Sequence, residues 1–128
     1  MKRCLVLSAM IILTWGASVS AAEMRVQRLV VCTGVEEREP VGVAESFPAG
    51  SEGVYAFVDL ADVDCNCTVS FVWSRNGKEI RTIIVPVSME TRWRSWARKN
   101  VADQPGDWSV EVRDASNKPL MSTMFRVE

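Results

Sequence analysis

Between Thr91 and Lys99 the chain reads Thr-Arg-Trp-Arg-Ser-Trp-Ala-Arg-Lys. In an extended strand successive side chains alternate between faces, so Arg92, Arg94, Trp96 and Arg98 project one way and Trp93, Ser95 and Ala97 the other. Guanidinium groups beside an indole can grip a carboxylate or phosphate with paired N–H donors and stack a flat or sugar ring. These four residues are therefore candidate ligand-binding residues for an anionic glycan or lipid headgroup. The alternative is a solvated face whose arginines pair with acids on neighbouring strands, such as Glu111, their stems covering Trp96.

Cysteine is the second candidate chemistry. Cys4 falls in an amino-terminal leader described below, which leaves Cys32, Cys65 and Cys67, an odd number for an oxidising compartment. The simplest arrangement is one structural disulfide from Cys32 to Cys65 or Cys67, with the third thiol buried or paired with another chain. In small exported domains such a bridge typically contributes about 2–4 kcal/mol. Cys65-Asn66-Cys67 also permits disulfide exchange or binding of a soft metal such as Cu(I), assisted by a methionine. Along a strand, however, residues two apart have Cα atoms roughly 6.5–7 Å apart, at the limit of disulfide reach, so bridging them requires a turn.

Other chemistries have little to work with. The chain has no histidine, which removes Ser-His and Cys-His nucleophile arrangements, and three cysteines fall short of a four-ligand structural zinc. Asp59, Asp62 and Asp64 could offer oxygen ligands to Ca²⁺, but their spacing fits no recognisable calcium loop, and a solvated acidic turn explains them. Acidic pairs for glycoside hydrolysis are not excluded by composition, yet such a reaction needs a deep cleft that a small sandwich seldom offers. No residue is assigned a catalytic role, no resident metal is expected, and the reading calls for no cofactor.

The elements that must hold these side chains are strands. Almost every stretch after Met24 alternates with period two and is rich in Val, Ile, Thr, Phe and Trp, and no helical stripe persists over a dozen residues. Strands are predicted over 25–32, 53–60, 66–75, 78–87, 91–99, 107–113 and 120–127. About seven short strands with turn residues between them predict an all-β, antiparallel β-sandwich of immunoglobulin-like type. Asn76-Gly77 is the clearest hairpin turn, because both residues tolerate the positive φ of a type I′ turn. Alternation puts Trp108, Val110 and Val112 on a core face, with Val69, Phe71 and Trp73 and then Phe125 and Val127 doing the same on their strands. Trp73, Trp93 and Trp108 therefore read as core, and Trp96 as the indole to test. The connection 33–52 does not alternate and carries Pro40, Pro48 and three glycines. It reads as an ordered surface loop with a short strand at 41–43, either a binding element or a crossover between sheets.

At its start, Met1-Lys2-Arg3 precedes an apolar run from Cys4 to Gly16 and the small-residue stretch Ala17 to Ala22, the layout of a secretory signal cleaved after Ala22. The apolar run is shorter than the ~20 residues a bilayer-spanning helix needs. Residues 1–22 are thus expected to be a signal peptide, leaving 106 of the 128 residues as a single domain, 23–128, that is periplasmic or secreted with no transmembrane segment after cleavage. Without Lys2 and Arg3, 13 basic residues remain against 16 acidic ones, a formal charge of −3 that argues against nucleic acid as a partner.

A series of landmarks also resembles a known family. They run from Arg25-Val26-x-Arg28-x-Val30 through Glu37-Arg38-Glu39-Pro40-Val41, Phe47-Pro48-Ala49-Gly50 and Tyr55-Ala56-Phe57. They continue with Trp73-x-x-Asn76-Gly77-Lys78, Arg92-Trp93-Arg94-Ser95-Trp96-Ala97-x-Lys99, Gly106-x-Trp108-x-Val110-Glu111-Val112 and Phe125-Arg126-Val127. In that order they resemble domain of unknown function 2914, over essentially the whole mature chain. The resemblance implies a short bacterial β-domain, exported or membrane-associated, with no assigned activity. It also implies a histidine two residues before the tryptophan of the third strand, where this chain has Phe71. The combined expectation is a non-enzymatic binding module of the bacterial cell envelope, its partner an envelope protein or an anionic surface component. The competing class is a thiol-redox or copper-handling protein centred on Cys65 and Cys67.

Overall fold

The computed structural model describes residues 24–128, and the expected signal segment lies outside the described residues. Ten strands follow one another: β1 Arg25–Cys32, β2 Gly34–Glu36, β3 Glu39–Val41, β4 Ser46–Phe47, β5 Gly53–Val63, β6 Cys67–Arg75, β7 Lys78–Val87, β8 Glu90–Asn100, β9 Gly106–Arg113 and β10 Pro119–Val127. The seven long ones coincide with the predicted strands to within three residues at each end. With the two-residue β4 they build an all-β sandwich of two sheets, β1-β5-β8 and β4-β10-β9-β6-β7.

Alternation explains the interior. Leu29 and Val31 of β1, Val54, Ala56, Val58 and Leu60 of β5 and Ala97 of β8 face Val69, Phe71 and Trp73 of β6, Trp108, Val110 and Val112 of β9, and Phe125 and Val127 of β10. Phe125 touches three rings, edge-on to Phe47 and Trp73 and stacked on Trp108. Each fully buried large side chain of this kind stabilises the fold by about 1.5–3 kcal/mol. Phe71, at the position where the resemblance implies a histidine, is wholly buried in this layer.

Turn chemistry holds the β6–β7 hairpin as expected. Asn76 and Gly77 take φ of 50° and 81°, the positive values a two-residue turn demands between strands of right-handed twist. Asn76 also reaches the other neighbour of β6: its N–H donates to the carbonyl of Asp107 at 2.6 Å, and its Oδ1 accepts from the Asp107 N–H at 3.0 Å.

The connection 33–52 is more structured than its sequence implies. Instead of one strand at 41–43 it holds the β2–β3 hairpin, paired Gly34↔Val41 through Glu36↔Glu39, and then β4, which joins β10 in parallel through Ser46↔Arg126 and Phe47↔Val127. The hairpin turn is formed by Glu37 and Arg38 at φ of 50° and 61°. Neither residue favours that conformation, so composition carries no turn signal there.

A charged outer face and a disulfide-lined cavity

Two places in this frame hold the candidate side chains. The first is the outer face of the three-stranded sheet. Pairing of β5 with β8 sets Ala61 opposite Arg92, Asp59 opposite Arg94, Phe57 opposite Trp96 and Tyr55 opposite Arg98, so the predicted row does project from one surface. Asp59 holds Arg92 through two donors, Nε shared between Oδ1 at 3.0 Å and Oδ2 at 3.2 Å, and Nη2 donating to Oδ2 at 2.7 Å. The Arg92 hydrogen bonds, with the charges of Arg92, Arg94 and Arg28, hold the Asp59 carboxyl below its ordinary range despite burial. Arg94 Nη1 donates to Glu39 Oε1 at 2.6 Å, while Arg28 Nη2 lies 3.6 Å from Glu39 Oε2. Glu39 belongs to β3, so these ion pairs fasten the small hairpin over the sheet.

The aromatic component is layered. Phe57 is buried on this outer face, with Trp96 stacked on it at 6.4 Å and 10° between planes, and the Arg28 guanidinium 5.4 Å from its ring centre. Trp96 keeps 38% of its surface exposed. An open depression of about 220 Å³ is lined by Arg38, Arg92, Trp93, Arg94 and Trp96. Three of the four predicted residues thus meet. Arg98, the fourth, lies over Gly53, where an added Cβ would fall 2.5 Å from its Nε. Arg38 was not singled out by the sequence. It arrives from the tip of the unforeseen β2–β3 hairpin, and its sequence signals are a place in a run of charged residues and in the landmark Glu37-Arg38-Glu39-Pro40-Val41.

The arginines do pair with carboxylates, but with Asp59 and Glu39. Glu111 instead accepts from Arg113 on its own strand. Trp73 and Trp108 are core, and Trp108 donates its indole N–H to the carbonyl of Gln104 at 2.9 Å. Trp93 packs partly buried against the core.

The second place is the turn from β5 into β6. Cys65 and Cys67 form a disulfide with Cα atoms 5.4 Å apart, and Cys32 is a free, buried thiol. This corrects the expected bridge from Cys32. Cys32 pairs with Tyr55 near the start of β5, whereas Cys65 follows the end of that strand, about 27 Å away for eight extended residues. Cys65 lies in a bend before β6, and the bend provides the turn that a bridge between residues two apart requires. Burial raises the pKa of the Cys32 thiol, and its Sγ points at the carbonyl of Tyr55, 3.6 Å away.

Cys65 and Cys67 line a cavity of about 200 Å³ together with Met24, Asp64, Asp114, Ala115, Ser116 and Leu120. Asn66, between them, accepts the Met89 N–H on its Oδ1 at 2.9 Å. The three aspartates of this region do not converge: Asp59 binds Arg92, Asp62 binds Arg25 at 2.8 Å, and Asp64 faces the disulfide cavity. Among the described residues no group of three His, Cys, Asp or Glu side chains could hold a metal ion.

No curated protein matches the chain. Among solved structures it is similar to a beta-glucosidase from Kluyveromyces marxianus, 12% identical over 83% of this chain and 14% of that one, TM-score 0.48. It is similar also to a beta-glucosidase from Listeria innocua, 10% identical over 83% of this chain and 16% of that one, TM-score 0.46. A Niemann-Pick type C2 protein from Japanese carpenter ant is 8% identical over 82% of this chain and 92% of that one, TM-score 0.49. The chain therefore spans less than a fifth of the length of either glucosidase. Residues 66–127, which carry the landmarks from Trp73 to Val127 but not the earlier ones, match the family described as "Protein of unknown function (DUF2914)".

Proposed function

We propose that this protein is a non-enzymatic binding module of the bacterial cell envelope, periplasmic or secreted, which recognises an anionic glycan on the outer face of its three-stranded sheet. The observation that carries this reading is the depression where Arg38, Arg92 and Arg94 converge beside the partly exposed Trp96. Asp59 and Glu39 neutralise two of those three guanidiniums, and Arg38 has no ion-pair partner among the described residues. One cationic charge is left over on a domain whose overall balance is acidic.

Pairing does not exhaust the donors. A guanidinium has five N–H bonds, and Arg92 commits its Nε and Nη2 to Asp59, leaving Nη1. Because Asp59 and Glu39 hold Arg92 and Arg94 in place, these donors reach a carboxylate or phosphate with little further ordering cost. Trp96, supported from beneath by Phe57, is a rigid platform for a sugar ring.

The reading is tested with the mature protein on immobilised polygalacturonate, with neutral dextran as control. Retention on the acidic polymer alone is expected, with R38S and R94S each weakening it about tenfold, as loss of a charge-assisted hydrogen bond predicts. Equal retention on both polymers, or unchanged retention of folded R38S and R94S, contradicts it.

A further inference from the structure

We infer that Cys65–Cys67 is a reversible dithiol/disulfide centre that exchanges with a thiol reductant entering the cavity beside it. The inference is independent of the anion site. Four observations converge. The bridge joins residues only two apart, so it closes a very small ring and removes little freedom from the unfolded chain. Both cysteines are only half-buried and line a cavity that opens to solvent. Cys65 lies in a bend and Cys67 opens β6 at the rim of the core, packed against it but outside the fully buried layer, so the bridge does not run between the sheets. Asn66 is anchored to Met89 independently of the sulfurs, so the bend keeps a tether when they separate.

The remaining cysteine among the described residues cannot compete. Cys32 is buried near the start of β5, and its raised pKa keeps it a thiol. Exchange is therefore confined to one pair. An incoming thiolate attacks one sulfur, forming a mixed disulfide as the Cys65–Cys67 bond breaks and the other cysteine leaves as thiolate. A second thiolate, from the same reductant if it is a dithiol or from another molecule if it is a monothiol, then attacks the reductant's sulfur in the mixed disulfide and releases the first cysteine. Two electrons and two protons pass to this chain, and the reductant leaves as a disulfide.

The cavity wall selects the thiol. Met24 and Leu120 provide apolar contact, and the carboxylates of Asp64 and Asp114 provide the charge. A reductant whose reactive thiol sits among neutral or basic groups is favoured, and an anionic one is repelled.

The test uses the folded mature protein with cysteamine, mercaptoethanol and mercaptoethanesulfonate, cationic, neutral and anionic monothiols. Alkylation and mass spectrometry count the thiols released. Reduction of two cysteines is expected while far-UV circular dichroism stays unchanged, at a rate within about tenfold of that in denaturant. Relative to denaturant and per thiolate, the rate should fall from cysteamine to mercaptoethanesulfonate. A bridge that opens only after unfolding, or whose reduction unfolds the chain, overturns the inference, and a flat order across the three thiols removes its charge selectivity. C65S and C67S give a second readout: in the folded variants the remaining thiolate should attack cystamine, the disulfide form of cysteamine, forming a mixed disulfide as the cystamine S–S bond breaks and one cysteamine leaves, and capture by neither variant overturns the proposal.

Discussion

Asp59 is the residue on which the charged face turns, because it is the one buried charged side chain among the described residues and Arg92 holds it with two N–H donors. A carboxyl whose pKa is depressed on folding contributes stability above its unfolded value, and the contribution is lost as pH falls through the folded value. D59N should therefore lower stability by about 1 kcal/mol at pH 7. That difference should shrink below about pH 4, where the unfolded carboxyl is already protonated. Urea denaturation of both proteins at pH 7 and pH 3 checks this, and an equal gap at the two values would contradict the role assigned to Arg92. Its partner arginines were legible in the sequence, because strand alternation alone sets Arg92, Arg94 and Trp96 on one side. Asp59 and Glu39 as their partners were not, since that pairing depends on a register between strands roughly thirty residues apart and on a hairpin no turn residue announced.

At the scale of elements, β2 and β3 form the least predictable and most consequential unit. The Glu37-Arg38 turn holds two non-glycine residues at positive φ, a conformation that costs such residues energy and that Asn-Gly adopts readily. Replacing the pair by Asn-Gly should raise the thermal midpoint by a few degrees, corresponding to about 0.5–1 kcal/mol, while retention on polygalacturonate falls through loss of Arg38. A variant that gains stability and keeps full retention would remove Arg38 from the binding surface. The opposite case is the junction of β6, β7 and β9. Gly106 has φ of 143°, and an added Cβ would lie 2.8 Å from Asn76 Oδ1. G106A should cost about 1–3 kcal/mol by denaturant titration, through strain and displacement of the Asn76 bonds to Asp107. Long strands could be read because their interior faces repeat every second residue. The parallel β4–β10 pair could not, because two residues are too few to show any period.

Over the molecule as a whole, charge is separated. Arginines gather on the outer face of one sheet, and Asp62, Asp64, Glu90 and Asp114 line the cavities where β5 passes into β6. Association with an acidic polymer should accordingly weaken several-fold between 50 mM and 500 mM salt, as screening shortens the reach of the guanidinium field. Binding insensitive to salt would assign recognition to Trp96 instead. The cysteine arrangement belongs to this scale, because which sulfurs meet is decided by where strands end and not by spacing alone. Its sealed member has one more consequence. Cys32 can react only while β1 stands away from β5, so the speed at which a maleimide finds it clocks the spontaneous parting of those two strands. The protein thereby carries its own gauge of how often its smaller sheet comes apart, readable without introducing a cysteine by mutation.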